Sequence, residues 1–239
     1  MKLILATALA LAAGAASAQT VRLGTEGAYP PYNFLNDAGE VDGFEIEVGN
    51  ELCARAELTC EWVTNEWDSI IPNLTGGNYD AIMAGMSITE ERDEVIDFTQ
   101  NYSPPTQSLY VAASEGVDLE GGVIAAQTNT IQAGYVAESG ATLLEFATYD
   151  ETIAAVRSGE ADAVFADMDA LMPTVEESGG ELMVVGDGVP LGGGIGMGLR
   201  ETDGELRETF DAAITSMKED GSLNELIVKW FGEDAQVYE

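Results

Sequence analysis

The chain has 239 residues, 46% of them hydrophobic, which is enough to bury one large core or two cores of about 100 residues each. Its 43 acidic residues face only 9 basic ones, histidine is absent and the formal net charge is -34. Such a field disfavours nucleic acid and anionic membrane surfaces, and it reads either as adaptation to a salty medium or as attraction for cationic ligands.

Lys2 and the apolar run LILATALALAAGA lead to Ala16-Ser17-Ala18. A basic start, an apolar stretch and small residues at a cleavage site predict a secretory signal peptide over residues 1–18 and a mature chain from near Gln19. The run is too short for a membrane span. Export gives the two cysteines, Cys53 and Cys60, a natural reading as a disulfide. A metal pair and a free redox pair are the alternatives.

Val21 and Leu23 open a short strand that runs into the loop GTEGAYPPYNF. DGFEIEVGNELCARAEL follows with helical spacing: Ile46, Gly49 and Cys53 share a face, with Val48, Leu52 and Ala56 beside it. Glu61-Trp62-Val63 reads as a strand. Asp68 is a candidate cap for a helix over DSIIPNLTGG, which Gly76-Gly77 would end. The apolar run DAIMAGM then predicts a strand covered on both faces. Strand-helix-strand order implies right-handed crossovers and a parallel α/β sheet. Thr89 can cap a turn containing Arg92, which is either a cleft cation for a carboxylate or a surface ion pair with Glu90, Glu94 or Asp97.

WDSIIPNLTGGNYDAIMAG (67–85) returns without a gap as YDETIAAVRSGEADAVFAD (149–167), six of the 19 positions being identical. In the second copy Asp150 is the candidate helix cap and DAVFAD the strand. Two α/β lobes of similar plan account for the repeat economically; chance similarity of two strand-helix-strand pieces is the alternative. Between and after them, SPPTQSLYVAA and GGGIGMGLR read as strands that carry the chain out to a second lobe and back, as a hinge would. The glycine run lacks the lysine and hydroxyl of a phosphate loop. Two helices, DGELRETFDAAITSMKEDG and SLNELIVKWFG, close the chain on the first lobe. The expected division is 19–107 plus 199–239 for lobe 1 and 108–198 for lobe 2. Ligands bind beyond the carboxyl ends of parallel strands, so the two repeat tips, Gly85 to Ser87 and Asp167, should face one cleft.

GTEGAYPPYNF, GFEIEVGNELC, WDSIIPNL, DAIMAGMSITEER and DGSLNELIVKWFG together resemble the polar amino acid family of periplasmic solute-binding proteins of ABC importers, in order from Val21 to Gly232. The lysine/arginine/ornithine- and glutamine-binding types are the nearest in pattern. The resemblance implies an α/β, two-lobed periplasmic binding protein fold with two hinge strands (type II). It implies that Arg92 clamps a ligand α-carboxylate with donors at Gly85, Ser87 and Thr130, and that Asp167 receives the α-ammonium. Tyr29 and Trp67 would sandwich the ligand side chain, with Glu26 facing a distal cation and Tyr32 bordering the pocket. Trp67 and Tyr32 could instead be core aromatics, and Glu26 a solvated acid. Cys53 and Cys60 resemble the disulfide of the lysine/arginine/ornithine and histidine binders. Ala84-Gly85 replaces a pair of serines, and Glu26 stands for Asp, as in opine and cystine binders.

The function implied is capture of an L-amino acid, basic by this pattern, and delivery to an inner-membrane ABC permease. A neutral glutamine- or cystine-type ligand is the alternative. Further rivals are a dehydratase-like enzyme using Glu26 or Asp167 and a receptor sensing domain. No cofactor, metal or nucleic acid is expected, and the protein is expected to act as a monomer in the periplasm.

Overall fold

The computed structural model describes residues 20–239. The signal-peptide expectation for residues 1–18 lies outside the described residues. In chain order the strands are β1 (Thr20–Thr25), β2 (Ala28–Tyr29), β3 (Asn33–Leu35), β4 (Val41–Asp42), β5 (Thr59–Thr64), β6 (Ala81–Ile82), β7 (Asp97–Ser103), β8 (Gln107–Ala112), β9 (Val123–Gln127), β10 (Thr142–Phe146), β11 (Ala163–Asp167), β12 (Met183–Pro190) and β13 (Ile195–Leu199). The helices are α1 (Phe44–Arg55), α2 (Ile70–Thr75), α3 (Glu90–Asp93), α4 (Ile131–Ser139), α5 (Tyr149–Ser158), α6 (Met168–Glu177), α7 (Gly204–Glu219) and α8 (Ser222–Phe231). A 3-10 turn, Trp67–Ser69, precedes α2.

Two five-stranded sheets share one plan. Their orders are β5-β1-β6-β13-β7 and β10-β9-β11-β8-β12. The first three strands of each order are parallel. The parallel sheet expected from the sequence is corrected here to a mixed one, because β13 and β7, like β8 and β12, run antiparallel to their neighbours. The cause is topological. The chain leaves the first sheet after Ser103, enters the second at Gln107, and returns between Pro190 and Ile195. A strand that enters from the opposite sheet comes in head-on. The hairpins β2-β3-β4 form a small third sheet beside the first.

The sequence repeat falls on equivalent places. β6 and β11, which end the two copies, are the middle strands of the two sheets. The repeated Asp80 and Asp162 do the same work at their starts. Asp80 Oδ2 accepts the N–H of Arg22 at 3.0 Å, and Asp162 Oδ2 accepts that of Val123 at 2.7 Å. Each Asp also donates its own N–H, at 2.8 Å, to the carbonyl of the same residue. A carboxylate at this position pins the start of each parallel pair.

Two expected caps are corrected. Asp68 does not cap α2. Ser69 occupies the cap position without a side-chain bond, because the 3-10 turn at Trp67 displaces the helix start. Asp150 lies inside α5, whose cap is Thr148, bonded to the Glu151 N–H in a reciprocal capping box. Thr89 caps α3 as expected, accepting from the Arg92 N–H.

α7 and α8 return to pack on α1, burying Phe210, Ile214, Met217, Leu223 and Ile227 against it and the first sheet. Cys53 on α1 and Cys60 on β5 form a disulfide, closing a short ring between helix and edge strand. Loop-closure entropy sets the expectation for its removal: the double variant Cys53→Ser/Cys60→Ser should unfold in urea with a free energy lower by about 2–3 kcal/mol. An unchanged midpoint and slope would contradict that role.

Candidate functional site

One cavity between the two sheets is lined by Glu26, Tyr29, Trp67, Gly85, Ser87, Arg92, Thr130 and Asp167, with Ala84, Gln127, Ile131 and Gln132. Eight of the nine residues singled out for the site in the sequence therefore come together. The first sheet presents Glu26 just past the end of β1, and Gly85 and Ser87 past the end of β6. The second presents Gln127 and Asp167 at the last positions of β9 and β11. Both sheets thus aim the carboxyl ends of their parallel strands at one gap. Tyr32 does not border the cavity. It is fully buried behind Tyr29, stacked at 5.7 Å between ring centres.

Arg92 lies in α3 and is partly buried. Its Nη1 donates to the Ser87 carbonyl at 2.8 Å and its Nη2 to the Asn129 carbonyl at 3.2 Å. The guanidinium stands over the Trp67 ring, 5.3 Å from its centre. Glu90, Glu94 and Asp97 do not pair with it; Asp97 pairs with Arg207. Arg22, Arg55, Arg200 and Lys229 likewise have carboxylate partners. Burial lowers the Arg92 pKa to about 10, opposed by the charges of Asp167 and Glu91. It stays charged at neutral pH. Carbonyls orient it without neutralising it, which leaves a positive charge in the cleft.

Asp167 is 9% exposed. Its Oδ2 accepts from the Tyr29 hydroxyl at 2.6 Å and its Oδ1 from Gln132 Nε2 at 2.8 Å. Burial raises its pKa to about 6, with a further push from Asp169, against the pull of these donors and of Arg92. Glu26 accepts from Gln127 Nε2 at 2.7 Å, and burial raises its pKa to about 7. Both carboxylates are thus bonded across the gap between the sheets. Tyr32 adds a third such bond, its hydroxyl donating to Asp169 Oδ2 at 2.9 Å.

Gly85 has φ +65, and a Cβ there would stand 3.1 Å from Tyr29 Cδ1. Glycine lets this segment take a left-handed turn against the Tyr29 ring. The Gly85 N–H donates to Glu45 Oε1 at 2.7 Å. The Thr130 hydroxyl donates to the Gln127 carbonyl at 2.6 Å and caps α4 by accepting from the Ala133 N–H at 3.1 Å. What α4 offers the cavity is then the free N–H groups and positive end of its first turn. Tyr149, which matches Trp67 in the repeat, packs edge-on against Tyr29, with ring centres 5.3 Å apart.

Gln127 and Gln132 were not anticipated as site residues. The signal was present: in AAQTNTIQ they flank Thr130, and Gln127 ends a strand just as Asp167 does. Free space among these side chains is about 20 Å³, room for about one water. A wider groove of about 770 Å³ adjoins it, and Trp67 and Arg92 line both.

The family model for bacterial extracellular solute-binding proteins, family 3, matches residues 21–233. Among solved structures, a periplasmic His/Glu/Gln/Arg/opine family-binding protein from Silicibacter pomeroyi, in complex with lysine, is 79% identical. The match covers 91% of this chain and all of that one, with a TM-score of 0.90. The histidine-binding periplasmic protein of Escherichia coli K12 is 34% identical over 98% of this chain and 96% of that protein. The L-arginine-binding protein of Pseudomonas aeruginosa is 32% identical over 92% and 90%.

Because the folded-state pKa of Glu26 lies above its ordinary 4.5, the carboxyl favours the fold when protonated and opposes it as pH rises through about 7. Glu26→Gln should match the parent near pH 4.5 and exceed it at pH 8 by about 2 kcal/mol, a figure discounted for the group's partial exposure. Urea unfolding across that range checks it; parallel curves would contradict the burial.

Proposed function

The chain belongs to the bacterial extracellular solute-binding proteins of family 3, and on that premise we propose that it captures an L-amino acid with a cationic side chain in the periplasm. It then delivers that ligand to an ABC permease. The observation that carries this reading is the charge pattern of one cavity: the unneutralised Arg92 of α3, the buried Asp167 at the end of β11, and Glu26, which lines it together with the Tyr29 and Trp67 rings. Arg92, with Ser87 and the first turn of α4, suits an α-carboxylate. Asp167 suits an α-ammonium, and Glu26 a distal ammonium or guanidinium. The lysine bound in the Silicibacter pomeroyi relative supports the side-chain class.

An amino acid is much larger than the present free space, so entry requires the sheets to part and Tyr29 to leave Asp167. The ligand ammonium then takes the place of the Tyr29 hydroxyl. Closure is favoured because Arg92 and Asp167 reach one molecule only when the lobes meet. We infer that the lobes exchange chain at the two crossings. The division 19–107 plus 199–239 against 108–198 stands as a proposal, with the sheet membership of Ile195–Leu199 favouring a second boundary nearer residue 194. The protein is proposed to act as a monomer and to catalyse no turnover, its cleft carboxylates being held by Tyr29, Gln132 and Gln127.

A second reading, a neutral glutamine- or cystine-type ligand, has one observation in its favour. With a pKa of about 7, Glu26 is partly protonated at neutral pH and can meet an amide as well as a cation.

Calorimetry at pH 8 with L-lysine, L-arginine, L-ornithine, L-glutamine and L-cystine separates these. Arg92→Ala should weaken every ligand by about 2–5 kcal/mol, the effect of removing one member of a buried charge pair. Glu26→Gln should weaken lysine and arginine while leaving glutamine nearly unchanged. Equal losses for lysine and glutamine would favour the neutral reading, and no binding by any of the five would remove the proposal.

A further inference from the structure

We propose that Glu45, which does not line the cleft, is a positioning residue that fixes the spacing of the two ligand-facing arms of the first lobe, and with it the selection of a cationic side chain. The inference rests on the amino-acid-binding reading above.

Glu45 lies in the first turn of α1 and is 0% exposed. Three donors converge on its two oxygens. Oε1 accepts from the Gly85 N–H at 2.7 Å and from the Tyr102 hydroxyl. Oε2 accepts from Asn33 Nδ2 at 2.7 Å. Asn33, also 0% exposed, accepts the Gly27 N–H on its Oδ1 at 2.7 Å. That bond fixes which way the amide faces and turns its NH2 group to Glu45.

The network therefore has three ends: Tyr102 ties it to β7 in the core, and the other two, at Gly27 and Gly85, adjoin ligand-facing residues. Gly27 follows Glu26, the acid for the distal cation. Gly85 leads to Ser87, which orients Arg92 through its carbonyl. One buried carboxylate holds both arms, and the distance between them is the distance between the carboxylate-binding and side-chain-binding ends of the cavity. The arm at Gly85 has no slack toward Tyr29, where a Cβ would already be 3.1 Å from the ring.

The chemistry requires a carboxylate. It only accepts, so it can face three donors at once, whereas an amide of the same size must turn its own NH2 against at least one of them. The start of α1 adds a favourable helix field for negative charge. Burial pushes the Glu45 pKa up, and the Tyr102, Gly85 and Asn33 donors oppose that shift.

The test measures Kd for L-lysine and L-glutamine by calorimetry at pH 8 on the mature protein, Glu45→Gln, Asn33→Ala and the core control Ile214→Val, a fully buried residue of α7. Sites of this kind tolerate displacements of only about 0.5 Å, so Glu45→Gln should reduce the lysine-over-glutamine ratio by about tenfold or more. Asn33→Ala removes both Asn33 bonds, to Gly27 and to Glu45, and leaves the Gly85 tie in place. It should weaken lysine by about tenfold and glutamine by less than about threefold. The control should keep the parent ratio, which separates loss of spacing from loss of stability. A parent ratio retained in Asn33→Ala overturns the proposal, whether or not Glu45→Gln folds. A parent protein that binds neither ligand overturns the functional reading itself, and this inference with it.

Discussion

A partly buried cation that no carboxylate among the described residues contacts is the constraint around which the cleft is built. Arg92 is held by two carbonyls and an indole face, while other arginines of this acidic chain sit against carboxylates. Leaving such a charge partly buried is unfavourable on its own. The surrounding structure sustains it: Thr89 caps the short helix that carries it, and Trp67 covers one face. Asp167 faces it from the other sheet and raises its pKa against the effect of burial. Neither charge quenches the other at contact distance. A zwitterion can reach both.

The internal repeat puts equivalent strand tips of two sheets at one gap, where they present opposite charges. Asp80 and Asp162 anchor their parallel strands through the same pair of backbone bonds, so the repeated units share a frame down to single contacts. The copies diverge at their tips. One turns at Gly85 toward Ser87 and Arg92, and the other ends in the Asp167 carboxylate. The paired aromatics diverge likewise. Trp67 lines the cavity, whereas Tyr149 packs edge-on against Tyr29 and bonds through its hydroxyl to the Ala170 carbonyl.

Much of this was legible in the sequence because it is local or periodic. The alternation in GGGIGMGLR became β13, and the repeat marked two equivalent middle strands. The rule that ligands sit beyond strand ends pointed to the gap between the sheets, and the family resemblance named eight of the twelve residues that line its cavity. What was not legible depends on pairing across the fold. The crossing strands turned a parallel sheet into a mixed one, which no local pattern encodes. The cap at Asp68 failed because the 3-10 turn at Trp67 moves the helix start to Ser69, which makes no side-chain cap bond, and the cap at Asp150 failed because Thr148 takes that role two positions earlier. Glu45 shares a helical face with Val48, Gly49 and Leu52, an acid at core spacing. Its partners Asn33, Gly85 and Tyr102 could only be known once the chain had folded. Gln127 and Gln132 acquire meaning through Glu26 and Asp167, far away in sequence.

The central claim is that Arg92 and Asp167, from opposite sheets, grip the two ends of one amino acid. A crystal structure of the protein grown with L-lysine tests it most directly. The account predicts the ligand carboxylate within hydrogen-bond distance of the Arg92 guanidinium, its α-ammonium on Asp167, and the Tyr29 hydroxyl displaced from that carboxylate. Lysine bound elsewhere, with the Tyr29–Asp167 bond intact and Arg92 touching only carbonyls and Trp67, would contradict it.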